Sequence, residues 1–149
     1  MARFILATQT FVDMARSNTS SVRVWLTKAR VERGVSDIDL TISVMSLVTL
    51  ERDFQDLERR QLLGAQKLAL RQRCNTLTQE FRYREGILPF TDEEMTTWAQ
   101  VQRLDPTLDE DSYVYATAIN RRLSLLTRPE PFHTQLQPLG LITEDPYVP

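Results

Sequence analysis

The chain has 149 residues, a formal net charge of −2, 42% hydrophobic residues and 26% charged residues. That balance belongs to a globular protein and excludes a disordered, collagen-like or linker-like chain. A chain of this length buries about 70% of its unfolded surface, enough for one domain over 1–149 without disulfide staples. A lone cysteine, Cys74, excludes an internal disulfide or a paired-cysteine metal site. No apolar run approaches the roughly 18–20 residues of a membrane span, and the opening apolar run is too short for a secretory signal. The expectation is a cytoplasmic protein with no membrane partner.

In chain order, the apolar run 4–7 reads as a strand buried on both faces. Residues 9–16 follow as a helix with Phe11, Val12 and Ala15 inward, broken by the polar stretch 17–21. A second helix spans 22–33, with Val22, Leu26 and Ala29 on one face and Gly34 as its C-cap. A second strand is expected over 38–43. Residues 47–60 and 65–81 form a long helical stretch hinged near Gly64, with Leu68, Leu70, Leu77 and Phe81 on its core side. A third strand falls at 87–90. Thr91 then opens a helix by a capping box to Glu94, with acids in the first turn and Arg103 in the last, as the helix dipole favours. Met95, Trp98 and Val101 share a face of that helix. A further helix covers 111–122, and strands follow at 123–127 and 139–143. Strand–helix alternation of this kind predicts an α/β fold, a three-layer α/β/α sandwich around a mostly parallel sheet.

Charge is unevenly spread. Sixteen of the 18 basic residues are Arg, which suits bidentate contacts to nucleic acid or to an acidic protein, although genome composition produces the same bias. Residues 52–84 carry a net +4 and residues 85–115 a net −7. The one histidine, His133, lies in a Pro-flanked run and reads as an exposed loop residue, so a Ser–His–Asp machine is not expected. The four glycines match neither a dinucleotide nor a phosphate-loop spacing, and one Cys with one His serves zinc poorly. Oxygen ligands to a hard cation such as Mg²⁺ are what the side-chain inventory leaves. Asp109, Glu110 and Asp111 precede a helix whose small residues Ala116, Thr117 and Ala118 can pack on a sheet; the same acids also suit a helix N-terminus.

Five segments in order resemble PIN-domain proteins of the VapC/FitB type. Residues 4–13 (FILATQTFVD) resemble the opening strand with its L-D-T-N motif, and 42–52 (ISVMSLVTLER) resemble I-S-x-I-T-x-x-E-L-x-R. Residues 111–118 (DSYVYATA) resemble D-x-x-I-A-A-T-A; Leu125-Leu126-Thr127-Arg128-Pro129 with Phe132 resembles L-V-T-R-N with its nearby D-F; and 144–147 (EDPY) resembles the N-P-W/Y ending.

The resemblance implies a small α/β/α sandwich and a metal-dependent endoribonuclease using Mg²⁺ or Mn²⁺. It also implies the toxin half of a toxin–antitoxin pair, with RNA as substrate, an antitoxin-like small protein as partner and a homodimer as the assembly. It implies as well that most of the family's acidic site is gone. Ala7 stands at the first-strand acid, Gln9 at its Asn neighbour, Thr49 at the helix Glu, and Pro129 at the acid or amide after the Thr-Arg pair. Asp111 alone stays in register as the expected catalytic and metal-binding carboxylate, with Glu130 beside the lost position as a substitute ligand, and Thr8 and Thr127 as polar wall residues. Glu51, two residues past Thr49, lies roughly 200° further round a helix and is not expected to replace it. An engineered Ala7 would silence a lethal ribonuclease, whereas natural decay accounts for Thr49 and Pro129 as well. The alternative reading is a non-catalytic PIN-fold module that dimerises and binds an antitoxin-like partner. On that reading the Arg-rich helices from Arg52 to Arg73 form the docking surface, and Trp25 and Trp98 serve as anchors or as core.

Overall fold

The computed structural model describes residues 2–107 and 111–148. Strands β1 (Phe4–Leu6), β2 (Leu40–Ser43), β3 (Ile87–Leu88), β4 (Ser124–Leu126) and β5 (Ile142–Glu144) form one sheet in the order β3-β2-β1-β4-β5. Every pairing is parallel, with Leu6 in register with Ile42 on one side and Leu126 on the other. The helices are α1 (Thr8–Arg16), α2 (Ser21–Arg33), α3 (Val44–Arg59), α4 (Ala65–Tyr83), α5 (Asp92–Leu104), α6 (Asp111–Arg121) and the short α7 (His133–Leu136).

Period-two alternation in the central strands divides the core into two layers. Phe4, Leu6, Leu40, Ile42 and Leu126 face a cluster with Phe11, Met14, Val22, Leu26, Leu77 and Phe81 from α1, α2 and α4. Ile5 and Leu125 point the other way, against Val101, Val114, Tyr115, Ala118 and Leu136 from α5, α6 and α7. The result is the expected α/β/α sandwich. Its helix ends follow the local chemistry. Gly34 closes α2 in the left-handed region at φ 65°, and Thr91 with Glu94 forms the capping box of α5. Arg121 Nε donates to the fully buried Glu94 carboxylate at 2.7 Å, tying α6 to the start of α5.

Several elements differ from expectation. Residues 37–39 are a 3₁₀ turn with Ile38 exposed, so β2 begins at Leu40. Helix α3 starts at once after β2, because Ser43 Oγ accepts from the Met45 N–H at 3.1 Å and caps it. Strand β3 is only two residues long, β4 ends before Thr127, and β5 starts at Ile142. Leu68 and Met95 are exposed, since no layer covers those faces of α4 and α5. His133 is buried: it opens α7, and its ring packs edge-on against Tyr115 and Phe132. No described helix is long and apolar enough to cross a membrane.

Candidate functional site

Strand order reverses at β1: the chain adds β2 and β3 on one side and β4 and β5 on the other. Ligands of open parallel sheets bind outside the carboxyl ends of the strands at such a switch point. Here the residues just past the strand ends are Ala7, Val44 and Thr127. The Ala7 N–H continues the ladder to the Leu126 carbonyl at 3.1 Å, and the Thr127 N–H does so to Glu144 at 3.1 Å. Register alone therefore brings Ala7 and Thr127 side by side.

Three helices begin at this rim. Ala7 is the N-cap of α1 and offers no side-chain acceptor. Thr8 Oγ1 donates to Ser46 Oγ on α3 at 2.8 Å, and Thr49 is buried one turn beyond Ser46. Helix α6 enters with Asp111 in its first turn and packs against α3 and β2. Behind Asp111, the buried Ser112 hydroxyl accepts from Trp98 Nε1 and Gln102 Nε2, both at 2.9 Å. Trp98 also stacks on Tyr113, 5.3 Å between ring centroids, so it serves packing between α5 and α6.

Asp111 and Glu130 converge electrostatically on Tyr115. Burial first, and then the negative charges of Asp111 and Glu130, push the Tyr115 phenol far above its ordinary value. The 128–131 segment is exposed and is held by the Glu130 N–H, which donates to His133 Nδ1 at 3.2 Å. Burial holds the His133 imidazole below its ordinary value near 6.5, against the opposing pull of Glu130. Its Nε2 is buried and finds no hydrogen-bond partner among the described residues.

The fold thus sets Ala7 beside Thr127 and Thr8 against α3, with Asp111 and Glu130 both within electrostatic reach of Tyr115. One expected position turns away: Gln9 is exposed and donates along α1 to Asp13 at 3.0 Å. Pro129 is exposed on the same loop as Glu130. Asp109 and Glu110 lie outside the described residues. Glu51 is engaged elsewhere: Arg71 donates to it at 2.8 Å and holds its carboxyl below the usual range, with Gln55 assisting. Sequence reasoning missed Ser46, Tyr115 and His133. The first two had a signal, since Ser46 is one helical turn before Thr49 and Tyr115 one turn after Asp111. His133 had none, because its burial depends on α7, which is too short to show a periodicity.

A hard divalent cation needs several oxygen ligands converging within about 2.0–2.6 Å of one point. The rim offers the Asp111 carboxylate and, on an exposed loop, Glu130, while Ala7 presents a methyl group and Thr49 a hydroxyl. Among the described residues no group of three or more His, Cys, Asp or Glu side chains could hold a metal. The described residues alone therefore do not supply the oxygen cage for Mg²⁺ or Mn²⁺ that the resemblance implies.

No family profile and no curated protein sequence matches the chain. Solved structures do. The chain resembles one in FitAB bound to an IR36 DNA fragment, with a TM-score of 0.68 and 18% identity over 98% of this chain and 96% of that one. It resembles a chain of DNA-bound VapBC from Salmonella typhimurium, with a TM-score of 0.64 and 16% identity over 98% and 99% of the two chains. A chain of VapBC2 from Rickettsia felis, bound to a promoter DNA fragment, gives a TM-score of 0.65 and 15% identity over 95% and 97%. The molecule is an α/β/α sandwich with a parallel sheet whose strand order reverses at its first strand. More particularly, it has the fold seen in FitAB and VapBC, the same fold that the resemblance to VapC/FitB-type PIN-domain proteins implies.

Proposed function

We propose that this chain is a VapC/FitB-like toxin-family protein with an incomplete endoribonuclease site, and that it works by binding an antitoxin-like protein as a homodimer. The observation that carries this reading is the rim itself. Where the family resemblance calls for acids there stand Ala7, Thr49 and Pro129, with Thr8 bonded to Ser46 along the wall. Asp111 and Glu130 supply two negative charges near Tyr115, and the described residues form no group of three or more ligands that could hold a metal. Helix α4, with Lys67, Arg71, Arg73 and Arg82 against the single acid Glu80, suits an acidic stretch of the partner.

The test compares the chain with the double variant Ala7→Asp/Thr49→Glu. Calorimetric titration with Mg²⁺ and Mn²⁺ should show no specific binding to the chain itself and measurable binding to the double variant. The chain should cleave no RNA under either metal. Metal-dependent cleavage by the unaltered chain that disappears in Asp111→Asn would overturn the proposal in favour of an active nuclease. For the partner half, co-expression with the product of an adjoining small open reading frame should yield a stable complex containing two copies of this chain. A monomer that takes up no such product would sink that half.

A further inference from the structure

Away from the rim, at the opposite end of α1, a cleft of about 760 Å³ opens between the α1–α2 turn and the middle of α4. Its walls carry the guanidinium groups of Arg16, Arg23 and Arg73, the amides of Asn18 and Gln72, and a single carboxylate, Glu80. Two of the arginines are fixed in place. Arg23 Nε donates to the Met14 carbonyl and Arg73 Nη1 to the Arg16 carbonyl, both at 2.9 Å. Each contact caps the carbonyl end of α1 and occupies one N–H, so the remaining N–H groups of both forks are left for another acceptor. Arg16 approaches Asp13 only at 4.0 Å, an exposed pair of little strength.

The positive charge continues beyond the cleft. Arg84, at the end of α4, lines a neighbouring cleft that shares Thr76 and Glu80 with this one, and lies within electrostatic reach of Arg23, its guanidinium carbon 4.3 Å from the Phe81 ring centroid. Its Nε and Nη2 are buried and find no hydrogen-bond partner among the described residues. Burial holds the Arg84 guanidinium below its ordinary value, against the attraction of Asp37 and Glu80. Positive charge therefore exceeds negative charge around the cleft, in a chain whose net charge is −2.

We propose that this cleft is an oxyanion site that takes a phosphate group, either free or as a link of a phosphodiester chain. A carboxylate offers its acceptor sites in one plane, whereas a tetrahedral phosphate turns oxygens in several directions and can accept from two forks and an amide set at angles to one another. The lining contains no aromatic ring among the described residues, so the site reads charge and shape and leaves a nucleobase unread.

The test titrates the full chain with inorganic phosphate, pyrophosphate and a short fluorescent oligouridylate at fixed ionic strength. Pyrophosphate should bind in the millimolar range or tighter. Gln72→Glu, an exposed change that leaves both capping bonds in place, should weaken it at least about tenfold, as should Arg73→Gln. Circular dichroism monitors the fold of both variants. Competition between pyrophosphate and the oligouridylate, with affinity falling steeply as salt rises, assigns the diester source. Binding of phosphate and pyrophosphate alone assigns the free anion. Absence of binding, binding indifferent to Gln72→Glu, or equal competition by polyglutamate would each overturn the proposal.

Discussion

Two buried side chains make sharp statements about chemistry at the residue scale. Cys74 is almost fully buried, and burial pushes its thiol up to about 11, only partly opposed by Arg16. A thiolate is the reactive form, so Cys74 should stay unmodified by a disulfide reagent in the folded chain and react at once in denaturant. Rapid reaction of the native protein would show that the α3–α4 layer opens readily. His133 gives a pH dependence. Its folded value lies below the unfolded value near 6.5, with burial as the larger cause and the Glu130 charge opposing. The unfolded state therefore binds the proton more readily, so stability is complete above about pH 6.5 and is lost as pH falls through the depressed folded value. The groups facing the ring are Glu130, Tyr115 and Phe132. Urea melts between pH 5 and 7 should slope for the parent chain and flatten in His133→Asn, whose side-chain oxygen can still accept from the Glu130 N–H. Equal slopes would remove His133 as the cause.

Among elements, the junctions between helix and strand carry the largest consequences. Glu94 is a fully buried carboxylate satisfied by Thr91 and Arg121. Arg121→Ala leaves that charge without its cation and should cost about 3 kcal/mol, the low end for a buried pair because the Arg121 side chain is 31% exposed. Gly86 approaches the sheet so closely that an added Cβ would stand 3.1 Å from Phe81 Cδ1 and 3.2 Å from the Leu40 carbonyl. Gly86→Ala should therefore destabilise by roughly 1–3 kcal/mol, measured by denaturant midpoint, since a backbone carbonyl cannot move aside. A continuous apolar run made β1 legible from sequence, and capping chemistry made α2 and α5 legible. Leu68 was misread because a helical period reveals which residues share a stripe, and not whether another layer covers it. The rim was legible in outline, because a parallel register lines up strand ends. Gln9 was not, since its amide finds Asp13 one turn along its own helix.

Over the whole molecule, the segment after β4 fastens the first helical layer. Arg33 forks onto both Glu144 oxygens, the Tyr147 hydroxyl donates to Asp13, and the Arg128 guanidinium lies 4.0 Å over the Tyr147 ring. Burial and the Asp13 carboxylate push the Tyr147 phenol up to about 12, so the hydroxyl keeps its proton through the physiological range. Tyr147→Phe should cost about 1–2 kcal/mol, and Tyr147→Ala more, because only the second also removes the ring beneath Arg128. Equal losses, read from thermal melts, would locate all of the stabilisation in the hydroxyl.

Because Phe4 pairs with Leu40 on one side and Ser124 on the other, the middle strand of the sheet leaves the ribosome long before its second neighbour. Half the sheet can assemble during synthesis, yet the Phe4-Ile5-Leu6 edge stands open until residues 124–126 emerge. Such an unpaired apolar edge invites association with other nascent chains. Yield in a cell is thus governed by the interval in which translation has delivered β3 and still owes β4.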